Sequence, residues 1–278
     1  MTRRLIPVLA PLAVFVVFAG EPSGARTPKP TVAVMNATSD YLIGGVTNGR
    51  WANADTLKAA LPESALVRSL SLDGERSLGA RKLNASQPPD ICSWNWQYGD
   101  LGGGDDPLRV VGATWPLLPR PVKRLDPNGG TYRSVVGAFL RKNGVPKPIV
   151  RITGLYQADL DGDGRDDVVM TASHFRTSGG DFQISTTVGD YDLVMVRSVR
   201  NAKAVERVLY FERFGASAGV NSDGSQHWVL AIGDLDGDGD MEVVTELSAW
   251  EAGRTDVYAA ATTAASRWRS VANESCGV

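Results

Sequence analysis

Histidine, cysteine and net charge are scarce in this sequence, and each shortage excludes something. His174 and His227 are the only histidines among 278 residues, so a hydrolytic triad has few places from which to draw its base. Cys92 and Cys276 are the only thiols, enough for one intramolecular bridge. Lys and Arg number 29 against 31 Asp and Glu, a formal charge of −2. No basic surplus points to nucleic acid, and no block of like charge reads as an interaction tail.

Long apolar runs are equally scarce. Arg3 and Arg4 precede "LIPVLAPLAVFVVFAG", which is interrupted by Pro7 and Pro11 and ends at Gly20. The run is short for a membrane span. Its basic start and the small residues Ala19 and Ala25 fit a secretory signal peptide rather than an anchor. We therefore expect residues 1–25 to be removed and the protein to be exported, extracellular or periplasmic, with no membrane span remaining. No cysteine follows the run to carry a lipid. An oxidising destination makes a Cys92–Cys276 bridge the expected state of the two thiols.

Residues 26–131 read as an N-terminal β-rich region. After the tether "RTPKPT", the runs "TVAVM", "YLIGGVTNGRW", "ALVRSLSLDGERSL" and "LRVVGATW" alternate with turn chemistry, and Asn48-Gly49 and Asp73-Gly74 suit hairpins. "LPESALVR" and "NADTLKAAL" have room for a helical turn only. Residues 132–146 differ. Tyr132, Val135, Val136, Phe139 and Leu140 fall at helical spacing, and Gly144 supplies a stop. This is the one amphipathic helix expected, and its apolar stripe is expected to pack a core.

Residues 147–278 repeat one pattern. "PIVRITGLYQ", an acidic loop, "DVVMTAS", "YDLVMVRSV" and "ERVLYFERF" are followed by "HWVLAIG", a second acidic loop, "EVVTELSAW", "TDVYAAATTA" and "SRWRSV". Strand, acidic loop and three further strands occur twice, as in four-stranded propeller blades. The loops are "DLDGDGRDD" from Asp159 and "DLDGDGDME" from Asp234. Acids stand at positions 1, 3 and 5, with glycines at 4 and 6, where a coiled backbone needs positive φ. Such coiling turns the acids inward. Like charges near 4 Å repel by roughly 1 kcal/mol in bulk water and by more at lower dielectric. A hard divalent cation reverses the sign. Six or more oxygens at flexible geometry suit Ca²⁺ better than Mg²⁺, and neither loop holds a His or Cys for zinc. An EF-hand is excluded, because position 12 is Met170 in one loop and Thr245 in the other.

The spacing D-x-D-G-D-G-x-x-[DE] before an apolar strand resembles the calcium loop of FG-GAP/VCBS repeats, as found in integrin α-subunit propellers. That resemblance implies a calcium ion in each loop. Asp159, Asp161, Asp163 and Asp167 carry over as side-chain ligands, with Arg165 through its carbonyl. Asp234, Asp236, Asp238 and Glu242 carry over likewise, with Asp240 through its carbonyl. Asp166 falls outside the pattern. The family's Phe-Gly before the loop and Gly-Ala-Pro after the strand are missing, with "MTAS" and "TELS" in the latter place. The ending "ESCGV" and the stretch "GATWPLLPRP" resemble secreted bacterial proteins that carry these loops. The implied fold is mainly β, a small or incomplete propeller-like arrangement in which residues 147–278 form two calcium-binding blades.

Two weaker signals remain. "GASAG", Gly215 to Gly219, matches a nucleophile elbow, but turn-like "VNSDGSQ" follows where the elbow needs a helix, so no nucleophile is expected at Ser217. Trp94 and Trp96 would share a face on a strand, as a sugar platform or as core. No acid–base or nucleophile set emerges, and no catalytic residue is assigned. The expectation is an exported, monomeric, non-enzymatic binding module for an extracellular protein or glycan, with Ca²⁺ as a structural clamp. The alternatives are a calcium-dependent hydrolase or lyase, or a carbohydrate-binding module.

Overall fold

The computed structural model describes residues 30–89, 92–99, 101–175, 177–178, 184–200, 203–214, 224–249, 252–260 and 268–277. The expected signal peptide and the "GASAG" stretch lie outside the described residues.

The protein is mainly β. Its first sheet contains β1 (Val32–Asn36), β2 (Leu42–Thr47), β3 (Arg50–Ala52), β4 (Ser64–Ser71) and β5 (Gly74–Lys82), with helix α1 (Ala54–Ala60) between β3 and β4. A small hairpin, β6 (Ala85–Ser86) with β7 (Gln97–Tyr98), precedes β8 (Leu108–Val111). β8 inserts between β1 and β4, giving the order β3-β2-β1-β8-β4-β5. Next come β9 (Lys123–Arg124), helix α2 (Gly130–Lys142), β10 (Ile152–Ala158), β11 (Asp167–His174), the minor hairpin of β12 (Thr177–Ser178) and β13 (Ile184–Ser185), β14 (Tyr191–Arg200) and β15 (Lys203–Arg213). They form a second antiparallel sheet, ordered β15-β14-β11-β10-β9, with β12 and β13 apart. The third sheet is a plain meander of β16 (Gln226–Gly233), β17 (Glu242–Ala249), β18 (Ala252–Ala260) and β19 (Trp268–Gly277). Both repeats thus form the antiparallel order read from sequence, one of them extended by β9.

Local chemistry accounts for the joints. Asn48 and Gly49 both take positive φ, at 53° and 72°, which matches a two-residue turn to strand twist. The second hairpin is offset by one residue. Ser71 pairs with Gly74, so Leu72 and Asp73 form the turn rather than Asp73-Gly74. Leu72 is buried against the second and third sheets, which selects that register. "NADTLKAAL" does form a helix, making two helices among the described residues where one was expected. The Asn53 side chain accepts from Thr56 N at 3.0 Å, and Leu57 anchors α1 in the core. "LPESALVR" runs into β4 instead. α2 buries Val136 and Leu140 completely, and Gly144 follows it at φ 88°.

Four apolar clusters define the layering. One packs α1 on the first sheet through Leu57, Met35 and Val67. Another joins the first sheet to the third through Val34, Leu108, Val244, Val257 and Ala272. A third joins the third sheet to the second through Ile232, Val243, Val169 and Val196. The last seats α2 on the second sheet through Val136, Leu140, Met170 and Leu193. The order is α1, six strands, four strands, five strands, α2. Helices cover both outer faces, so the stack of sheets does not close on itself.

Cys92 and Cys276 form the disulfide, with Cα atoms 5.5 Å apart across a sequence separation of 184. Trp94 and Trp96 do not share a strand face. Trp94 is exposed and donates from Nε1 to the Ser275 carbonyl at 3.1 Å. Trp96 donates to Asp55 Oδ1 at 2.8 Å, and Lys58 Nζ lies 3.6 Å from its ring centroid.

Candidate metal centre

Loop 1 (residues 159–167) joins β10 to β11, and loop 2 (234–242) joins β16 to β17. Their backbones coil the same way. Gly162 and Gly164 have φ of 69° and 81°, and Gly237 and Gly239 have 73° and 95°, at the positions where the spacing requires it. The internal hydrogen bonds also repeat. Asp159 Oδ2 accepts from Gly164 N at 3.1 Å, as Asp234 Oδ2 does from Gly239 N at 3.2 Å. Asp161 and Asp236 each accept from the N–H two residues on, at 3.3 and 3.0 Å, and Asp163 and Asp238 do the same at 2.9 Å. These are Asx turns in series, so the coil follows from having an acid at every second position.

The coil gathers carboxylates. Asp159, Asp161 and Asp163 bring oxygens within 4.8 Å of one another, and so do Asp234, Asp236 and Glu242. Two ligands of one calcium ion, each at 2.3–2.6 Å, stand at most about 5 Å apart. Both trios therefore fit a single hard cation. Asp159 Oδ1 is buried with no hydrogen-bond partner, a site where a cation would fill an unmet acceptor. The other predicted ligands are placed differently. Asp167 Oδ2 accepts from Leu160 N at 3.2 Å, while in loop 2 the equivalent Glu242 accepts from Leu235 N at 2.7 Å and still joins the trio. Asp238 stands outside its trio. Arg165 and Asp240 engage Asp163 and Asp238 through their N–H groups.

The surroundings of the two loops differ. Arg200 pairs with Asp161, and Arg120 Nε lies 4.0 Å from Asp159 Oδ2, so loop 1 has two guanidinium counter-charges. Loop 2 is roofed by indoles. Trp51 Nε1 donates to Asp236 Oδ2 at 3.1 Å, and Trp115 Nε1 to the Asp234 carbonyl at 2.9 Å. The Trp115 ring lies so close over Gly237 that a Cβ there would stand 3.0 Å from it. Burial pushes Glu242 well above the usual carboxylate range, with the Asp236 charge adding to it. Burial and then the Asp238 charge push Asp236 up to about 6. Asp234 and Asp240 rise for the same first reason, and in loop 1 burial raises Asp167.

Arg120, Arg200, Trp51 and Trp115 carry no signal in loop spacing and were not foreseen. Leu160 and Leu235, the apolar residues at position 2 of the loops, were not singled out either. Both are buried. Comparison with protein-family models, curated proteins and solved structures finds no match to this chain.

Proposed function

We propose that this protein is an exported calcium-binding interaction module, with one Ca²⁺ clamping each loop and no catalytic role. The observation that carries the reading is the paired convergence of three carboxylates at the mouths of β11 and β17, in loops that share four internal hydrogen bonds from backbone N–H to carboxylate. In this reading Asp159, Asp161, Asp163 and Asp167 hold one ion, and Asp234, Asp236, Asp238 and Glu242 the other. The ion neutralises acids among which burial raises Asp167, Asp234, Asp236 and Glu242 above the usual carboxylate range. The three stacked sheets act as a propeller-like arc of FG-GAP/VCBS type, ended by helices instead of further blades. A monomer presenting such an arc suits an extracellular protein or glycan as partner. The non-enzymatic reading draws support from His227. It meets Asp192 at 2.5 Å, but the pair is shut in at 1% and 0% exposure, beyond the reach of a substrate.

Elemental analysis of protein dialysed against calcium should find two ions per chain. At ten times Kd each site should add about 1.4 kcal/mol by mass action, and calorimetry should show a higher Tm than in chelator. Magnesium at equal concentration should do much less. No bound calcium together with an unchanged Tm would return both loops to acidic turns.

A further inference from the structure

We infer, resting on the calcium reading, that the segment Trp115–Arg120 is a strap that makes the two loops one cooperative unit, so that filling either loop tightens the other. The strap touches both. Trp115 Nε1 holds the Asp234 carbonyl at 2.9 Å, and the Leu117 carbonyl accepts from Asp234 N at 2.8 Å. Three residues on, Arg120 donates to the carbonyls of Asp159, Leu160 and Gly239, the last two at 3.1 and 2.7 Å. One guanidinium therefore spans both loops.

The loops also bond directly, from Met241 N to the Leu160 carbonyl at 2.7 Å. Leu160 lies between the ligands Asp159 and Asp161. Its N–H is held by Asp167 and its carbonyl by loop 2 and Arg120. Ordering loop 2 thus fixes the peptide that sets the spacing of the loop 1 ligands, and the reverse holds. A site whose ordering cost has already been met binds more tightly. Repulsion between bound ions opposes this. Four side-chain carboxylates, two guanidiniums and one divalent ion leave loop 1 near neutrality, and a Debye length of about 8 Å at physiological salt weakens what remains.

The test is calcium titration calorimetry at that ionic strength on the full chain, on Asp161→Asn and on Asp236→Asn. The single-site variants give each loop's affinity with the other empty. The overall two-ion constant of the wild type should exceed the product of those affinities by roughly 5-fold or more, the lower end of coupling between sites. In an Arg120→Met background that factor should fall severalfold, to what the direct Met241–Leu160 bond carries. Arg120→Lys retains the charge without the fork that reaches three carbonyls, and it should lose as much of the coupling. A wild-type factor of one or less overturns the inference, as does coupling that is undiminished in Arg120→Met or fully kept by Arg120→Lys, since the direct Met241–Leu160 bond is left in both. Circular dichroism of each variant confirms that it is folded, and in each folded variant the remaining loop must still bind. Absence of calcium binding in every protein sinks the calcium reading itself, an outcome distinct from two independent sites.

Discussion

Loop 1 and loop 2 share a sequence pattern and a hydrogen-bond pattern, yet they handle their negative charge by different means. Loop 1 lies against Arg120 and Arg200, so part of its charge is balanced by protein cations. Loop 2 lies beneath Trp51 and Trp115, in the middle sheet of the stack, where burial raises its acids. A repeated motif fixes the coil, while its neighbours decide what neutralises it. Burial raises Asp234, Asp236, Asp240 and Glu242 in loop 2 but only Asp167 in loop 1, whereas the two guanidinium–carboxylate contacts fall on loop 1. Experiments that remove these supports one at a time break the comparison or sharpen it.

The largest effect should come from the disulfide, which ties the far end of β19, in the sheet of loop 2, to residue 92. The sheet of loop 1 has no such staple. A bridge across a separation of 184 residues stabilises by about 5 kcal/mol in the entropic model. Urea unfolding of Cys92→Ser/Cys276→Ser should register a loss of that order, with calcium at loop 2 weakened more than at loop 1. A loss below about 1 kcal/mol would show that the third sheet is held by packing alone.

Next in size is a pH effect two residues from that bridge, on the same strand. Glu274 accepts from Thr255 Oγ1 at 2.8 Å, and Asn36 Nδ2 donates to that hydroxyl at 2.9 Å. Glu246 and Asp256 face the same group, with Arg254 held by Asp256 at 2.7 Å. Burial first, and then the Glu246 charge, push Glu274 up to about 7. A raised folded pKa contributes stability that is complete below the unfolded value near 4.5 and is lost as pH rises through 7. The span corresponds to no more than about 3 kcal/mol. Glu274→Gln imitates the protonated acid. It should be more stable than the wild type at pH 8, with a flatter profile between pH 4.5 and 7. Identical profiles would remove Glu274 as the cause.

The strands, the acid spacing and the glycines at positive φ were legible because each is local. Alternation marks a strand, and coiling acids at every second residue requires Gly162, Gly164, Gly237 and Gly239. The rest depends on partners remote in sequence. β8 slots between β1 and β4 because Val110 and Leu108 complete a core shared with the third sheet, which no local pattern announces. α1 has seven residues and one fully buried side chain, Leu57, too little for a period to appear. Arg120 was invisible for a chemical reason. Its partners are backbone carbonyls, and a carbonyl leaves no mark on residue identity.

Ligand deletions probe the loops themselves. In the calcium reading Asp236→Ala removes a ligand, and it also removes the acceptor of Trp51 Nε1. With calcium at ten times Kd it should cost about 1.4 kcal/mol for the ion and about 1 kcal/mol more for the indole bond. Asp161→Ala loses the ion and only a half-exposed Arg200 contact, worth little on a surface. Differential scanning calorimetry should therefore lower Tm more for Asp236→Ala than for Asp161→Ala in calcium. Equal losses would mean that the indole roof adds nothing.

The smallest effect, and the sharpest for the comparison, belongs to Arg200. Its guanidinium meets Asp161 while 43% exposed, so water and salt discount the pair to a few tenths of a kcal/mol, at most about 1. Arg200→Gln should therefore cost little stability in chelator. Its effect on calcium should have the opposite sign. A positive charge removed beside Asp161 leaves loop 1 more negative, and a divalent cation gains twice what a monovalent one would. Calcium affinity at loop 1 should rise about two- to threefold in Asp236→Asn/Arg200→Gln relative to Asp236→Asn alone, and the gain should shrink at 0.5 M salt as screening shortens. The same substitution on an Asp161→Asn background should raise loop 2 affinity less, because Arg200 pairs with Asp161 and reaches loop 2 only through its charge on Asp240. Equal gains in both backgrounds would mean that Arg200 acts as diffuse charge on the whole surface, and the contrast between a loop paired with guanidiniums and one roofed by indoles would fail.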